Sequence, residues 1–163
     1  MRIKKLNEIE RELWVNFHRC AYKDDLAICE RVIEVHPRWA IISGYYAMHD
    51  IAKLYLGKVH GIKITGANIH KKVFYALRDL LGGNKNVEKI ISLLGEAEEK
   101  IKELGIDDIS YLLRLGEKER SKVQYYTLDS FSNNEKYIQK AKSFLEEIVL
   151  VFVKIMEEIV NAG

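Results

Sequence analysis

Apolar residues in this chain recur at intervals of three and four. The clearest run is Ile138, Ala141, Leu145, Ile148, Phe152, Ile155 and Ile159, which fits one face of a helix and excludes the two-residue period of a strand. Val149, Val151, Val153 and Met156 widen that face, predicting a helix central to a bundle, with Ser132 and Asn133 as N-cap candidates. A second stripe is Val87, Ile90, Leu94, Ala97, Ile101 and Leu104, bounded by Gly82-Gly83 and Gly105. The first helix is predicted on Ile3, Leu6, Ile9, Leu13, Phe17 and Cys20, followed by a short one over residues 24–35. Pro37, the only proline, suits the first turn of a helix over 38–56. Gly57, Gly61 and Gly66 mark a loop, with Thr65 capping a helix over 67–81 that turns Ile69, Val73, Ala76, Leu77 and Leu80 inward. A last helix is predicted from Asp107 or Asp108 to about Leu128. The expectation is one all-α domain over residues 1–163, a bundle of six or seven mostly antiparallel helices without a β-sheet.

Composition narrows the class. At 163 residues, 48% apolar and 31% charged, the chain suits one globular domain. Its 26 basic and 24 acidic residues leave +2, too even to steer a polyanion over long range. Cys20 and Cys29 match no metal or redox spacing and read as two buried thiols of a reducing compartment. The first residues carry Arg2, Lys4, Lys5 and Glu8 where a leader would be apolar, and Ile148–Val153 is far short of the roughly 20 residues of a membrane span. A cytoplasmic protein with no membrane contact is expected. Abundant Lys, Glu, Ile and Tyr with scarce Gln match thermophile usage.

The chain contains no phosphate-binding glycine loop, no HExxH and no GxSxG, and its five histidines include no i, i+4 pair. No metal or cofactor is expected. Two segments remain as candidate chemistry. In Ser43-Gly44-Tyr45-Tyr46-Ala47-Met48-His49-Asp50, Ser43, Tyr46 and Asp50 share one helical face, while Tyr45, Met48 and Ala52 suit the core. Gly44 lowers helix stability by about 1 kcal/mol relative to Ala, which points to close packing of another backbone there. The tyrosines read equally well as amphipathic packing residues. In Glu119–Tyr126, Arg120 and Gln124 are helical neighbours and Tyr125 flanks them. Arginine grips phosphate bidentately and tyrosine stacks a base, although a solvated charged face gives the same pattern.

In order and spacing these segments resemble the HEPN family of small helical nucleotide-binding proteins. The run Ser43–Ala52 is similar to the family's SAYYAMFHAA-type helix. His70, Val73, Phe74 and Leu77 are similar to its next helix, Arg120 to Tyr125 to its R-x-x-A-D-Y, and Ala141, Phe144 and Leu145 to its A-x-x-F-L. The resemblance spans about residues 26–155. It implies an RNA- or nucleotide-binding protein, a homodimer, and a nucleotidyltransferase partner of the toxin–antitoxin kind. It implies a binding cleft of Tyr46, Asp50, Arg120, Gln124 and Tyr125. Many members are metal-independent ribonucleases in which four to six residues separate the arginine from a following histidine. Here the position after the four-residue gap is Tyr125, and the family's aromatic-His pair is His49-Asp50. A tyrosine titrating near pH 10 shuttles protons poorly at neutral pH, so robust catalysis is not expected. One alternative is a ribonuclease using Arg120 with Tyr125 or His49. The other is a helical protein-interaction module that binds no nucleic acid.

Overall fold

The computed structural model describes residues 2–104 and 134–163. Helices α1 (Glu8–Val32), α2 (Pro37–His60), α3 (Ile69–Leu80) and α4 (Val87–Glu103) lead to α5 (Asn134–Ser143). The chain continues from α5 through a π-helical stretch, Phe144–Val149, into α6 (Leu150–Ala162), forming one rod. The all-α class is as expected. The helix predicted from Asp107 or Asp108 to about Leu128 lies outside the described residues. No helix among the described residues is long and apolar enough to cross a membrane.

Several boundaries differ from the sequence reading, each for a local reason. The two helices predicted before residue 36 are one. Lys23-Asp24-Asp25 contains no glycine or proline, so nothing stops α1 there. Its true start is capped by Asn7, whose side chain accepts the Glu10 amide at 2.8 Å while Glu10 returns a bond to the Asn7 amide at 3.3 Å. Ile3 is not helical. It lies in strand β1 (Arg2–Lys5), paired antiparallel with β2 (Ile62–Thr65), Ile3 opposite Ile64. Gly61 makes this ribbon possible: its left-handed φ of 64° ends α2, and its carbonyl accepts the Leu6 amide at 2.8 Å. Gly57 does not break α2, which runs on to His60, and Asn68 rather than Thr65 precedes α3.

Helix α2 is the centre of the domain, with 17 of its 24 residues buried and small residues where neighbours come closest. Helix α1 crosses it antiparallel, bringing Trp14 to Gly57 and His18 to Asp50. The rod runs parallel to α2, not antiparallel: Gly44 faces Phe144 and Val149, and further along Lys58 donates to the Val160 carbonyl at 2.8 Å. Along the rod the buried residues Ala141, Leu145, Val149 and Val153 rise by fours, as do Phe144, Ile148, Phe152, Met156 and Val160. Four residues turn an α-helix about 400°, so such rows drift about 40° per step. The wider i→i+5 turns of Phe144–Val149 take out drift where the rod meets Gly44.

Two expectations about α1 are corrected. Cys29 is buried, its thiol pushed up to about 12 by burial, but Cys20 is exposed. The stripe Ile9, Leu13 and Phe17 does not enter the core; these side chains are 74%, 67% and 65% exposed. The face of α1 that meets α2 carries His18, Tyr22, Asp25 and Cys29 instead.

Gly57 supplies a test of this packing. A Cβ there would sit 2.4 Å from Trp14 Cδ1, whose indole N–H is already fixed on the Lys53 carbonyl at 3.1 Å. Helix propensity alone would make Gly57→Ala stabilising by about 1 kcal/mol. Overpacking against the ring, costing about 1–3 kcal/mol, is expected to win. Urea unfolding should show a lowered midpoint, and a raised midpoint would mean that Trp14 does not pack here.

Candidate functional site

The Ser43–Ala52 run occupies the middle of α2, and its polar side chains enter two different interfaces. Tyr46 and Asp50 stand four residues apart, yet each has its own neighbourhood.

Asp50 turns under α1. Its Oδ1 lies 2.7 Å from His18 Nδ1 and 3.8 Å from Lys53 Nζ, and it is hydrogen-bonded to Asp25. Burial would raise the Asp50 carboxyl, but the bond to His18 and the charge of Lys53 hold it below the usual carboxylate range. Asp25 takes the complementary state. Burial, then the hydrogen bond and charge of Asp50, push it up to about 7, so it carries the proton that lets the two carboxyls lie together. Lys53 is lowered by burial, with Asp50 and Asp25 opposing. Ser43 also faces α1, donating to the Asp25 carbonyl at 2.7 Å. Trp14 and Phe17 pack edge-on around the His18 ring, whose Nε2 is buried without a hydrogen-bond partner. A carboxylate behind Nδ1 orients an imidazole as in general-base pairs, but here the imidazole is sealed in.

Tyr46 looks toward α3. His49 stacks on His70 with ring centroids 4.1 Å apart and planes at 21°, and Tyr45 and Tyr46 meet His70 edge-on at 5.2 and 5.7 Å. Tyr46 and His70 are partly exposed, while His49 is only 1% exposed and neither of its ring nitrogens has a hydrogen-bond partner. Burial, then the neighbouring His70 and Lys53, keep His49 well below the ordinary imidazole range, hence neutral. A neutral, sealed ring does not carry protons to a bound substrate, so the geometry gives His49 no role in the ribonuclease alternative.

The structure therefore gives Tyr46 and Asp50, neighbours on one face of α2, different surroundings: Tyr46 meets His70 of α3 and Asp50 meets His18 of α1. Arg120, Gln124 and Tyr125, the rest of the predicted cleft, lie outside the described residues. Sequence reading passed over His18, Asp25 and Lys53. Only the position of Asp25 three residues after Tyr22 and four before Cys29, which sets a carboxyl in line with apolar positions of α1, could have marked that cluster.

A further group lies at the other end of α2. A cavity of about 410 Å³ is lined by Ile41 of α2, by Lys100, Glu103 and Leu104 around the end of α4, and by Lys136, Tyr137, Lys140, Phe144, Glu147 and Ile148 of the rod. Lys140 sits 5.5 Å from the Tyr137 ring centroid, and Lys100 pairs with Glu103 at 3.4 Å. The lining thus joins an aromatic face, ammonium groups and carboxylates.

No family model matches the chain, and neither a curated protein nor a solved structure matches it.

The buried carboxyl pair predicts how stability responds to pH. Asp25 is raised in the folded state, so its contribution is complete below the unfolded value near 4 and is lost as pH rises through about 7. Asp25→Asn removes this loss. In chemical denaturation from pH 4 to 8, the variant should gain on wild type as pH rises, most steeply below pH 7. A constant gap between the two curves would mean that Asp25 has no raised pKa.

Proposed function

We propose that this protein is a HEPN-like RNA- or nucleotide-binding domain without robust catalysis, acting in the cytoplasm as a homodimer beside a nucleotidyltransferase partner. The observation that carries the binding reading is the cavity between α2, α4 and the rod. Its 410 Å³ falls within the usual range for small-ligand sites. Lys136 and Lys140 suit phosphate oxygens, Tyr137 offers a ring to a base, and Glu103 and Glu147 can accept from sugar hydroxyls or base amino groups. Such a mixed lining favours a nucleotide or a short single strand over a long duplex, consistent with the net charge of +2. Arg120, Gln124 and Tyr125, the other residues of this reading, lie outside the described residues.

A second reading, the protein-interaction module, is favoured by the exposed apolar stripe of α1.

A labelled single-stranded RNA incubated in EDTA separates these readings. Wild type, Arg120→Ala and the double variant Lys136→Glu/Lys140→Glu would be compared on native and denaturing gels. The expected result is a wild-type shift without cleavage and at least about tenfold weaker binding in both variants, as lost phosphate contacts with cations require. Cleavage that disappears in Arg120→Ala would make the protein a ribonuclease. Neither shift nor cleavage would leave the interaction module.

A further inference from the structure

Helix α1 turns polar groups inward beside its core residues. It buries His18 and Tyr22 and half-buries Asp25 among Val15, Leu26 and Cys29, while its opposite side presents Ile9, Leu13 and Phe17 to solvent. At 100° per residue, Ile9, Leu13, Cys20 and Ala27 lie within about 40° of one another, with Phe17 and Ile28 at the border. Six of the eleven large apolar side chains left exposed among the described residues fall between Ile9 and Trp39. Among the described elements, α2 is the only one that α1 packs against extensively. Isolated exposed apolar residues are ordinary, but a stripe running from Ile9 through Leu13 and Phe17 to Cys20, about 16 Å of helix before Asp24 interrupts it, marks a contact surface.

Charge placement identifies what covers it. Glu12, Arg19, Lys23 and Glu30 line one edge of the stripe and are set by the sequence in the order minus, plus, plus, minus. In an antiparallel pair related by a two-fold axis, this edge meets the same edge of the partner. Centring the axis near His18 brings Glu12 of each copy within one residue of the level of Lys23 of the other, and likewise Phe17 to Cys20 and Ile9 to Ile28. A parallel pair would set Asp24 on Asp24 and Arg31 on Arg31 within the seam, repelling at both. We infer that a second copy of this chain covers the stripe, the two α1 helices pairing antiparallel through Leu13, Phe17 and Cys20 with reciprocal Glu12–Lys23 ion pairs. The seam is isologous, as a two-fold dimer requires. It is separate from the lysine-lined cavity and does not depend on nucleotide binding.

Sedimentation equilibrium over a dilution series tests the pairing, with circular dichroism as the check on folding. Wild type should be dimeric, and Leu13→Glu/Phe17→Glu should be monomeric with unchanged helix content, since both positions are exposed. Glu12→Lys should weaken the dimer about tenfold by turning two attractions into two repulsions. Adding Lys23→Glu should restore it. Within one helix Glu12 and Lys23 stand about 16 Å apart, so the rescue reads contact between copies. A wild-type protein that stays monomeric would overturn the inference and assign the stripe to another occupant. A dimer indifferent to Leu13→Glu/Phe17→Glu would overturn it too, as would a charge swap that fails to restore pairing.

Discussion

A helix surrounded on nearly every side by other chain has to admit its neighbours through small residues, and α2 is built on that constraint. Ala40, Ala47 and Ala52 are completely buried, and Gly44 and Gly57 mark the closest approaches. At Gly57 the Trp14 indole takes the space of a Cβ and bonds the Lys53 carbonyl, fixing how α1 lies on α2. At Gly44 a Cβ would come within 3.0 Å of Val149 and 3.3 Å of Phe144, so the rod also rests on a missing side chain. The π-helical stretch belongs to the same contact. It keeps two rows of apolar residues, spaced by fours, aimed at α2 rather than drifting round the rod.

Burying polar groups beside that helix costs free energy, and the cost is met by pairing within the cluster. An isolated carboxylate under α1 would be strongly unfavourable. Asp50 is tolerated because His18 and Lys53 lie against it and because Asp25 holds its proton up to about pH 7. Such a cluster adds little stability by comparison with an apolar layer, but it specifies register: α1 shifted by one residue would part His18 from Asp50 and Trp14 from Gly57. The unpartnered nitrogens of His18 and His49 run against this economy. The structure offers no stabilising reason for them, which is what makes the two sides of α2 worth probing chemically.

The parts of the fold legible in the sequence are those where one periodicity maps onto one buried face. Ile90, Leu94, Ala97 and Ile101 are buried as their stripe requires, and Pro37 opens α2 as its missing N–H predicts. Gly44 was readable as a point of close packing, though its neighbours are side chains and not a backbone. Periodicity gave out where local and tertiary preferences part. Ribbon β1–β2 is only four residues a side, and its pairing of Ile3 with Ile64 joins segments sixty residues apart, so no local pattern announces it. The parallel course of α2 and the rod likewise depends on contacts between distant segments. Of the predicted site, Tyr46 and Asp50 were correctly placed on one helix. That the first looks to α3 and the second to α1 depends on what packs beside each, which spacing alone does not carry.

The stripe on α1 shows why a hydrophobic pattern is ambiguous in principle. Ile9, Leu13 and Phe17 repeat as cleanly as any core row, and the pattern records only that evolution or chemistry keeps this face apolar. It does not record whether the covering surface comes from the same chain. Among the described residues the other face of α1 fixes the helix's orientation, because His18, Tyr22 and Asp25 are committed to partners on α2 and the rod, Tyr22 by its 2.9 Å bond to Glu157. With the polar face held by those bonds, α1 cannot roll its apolar face inward without leaving a carboxyl and an imidazole exposed to unpaired burial elsewhere or returning them to water. The polar cluster and the apolar stripe are thus two consequences of one helix orientation. A surface laid over Leu13 and Phe17 would also shield the Trp14 and Phe17 rings that pack around His18, so the stripe and the electrostatics beneath α1 share those rings.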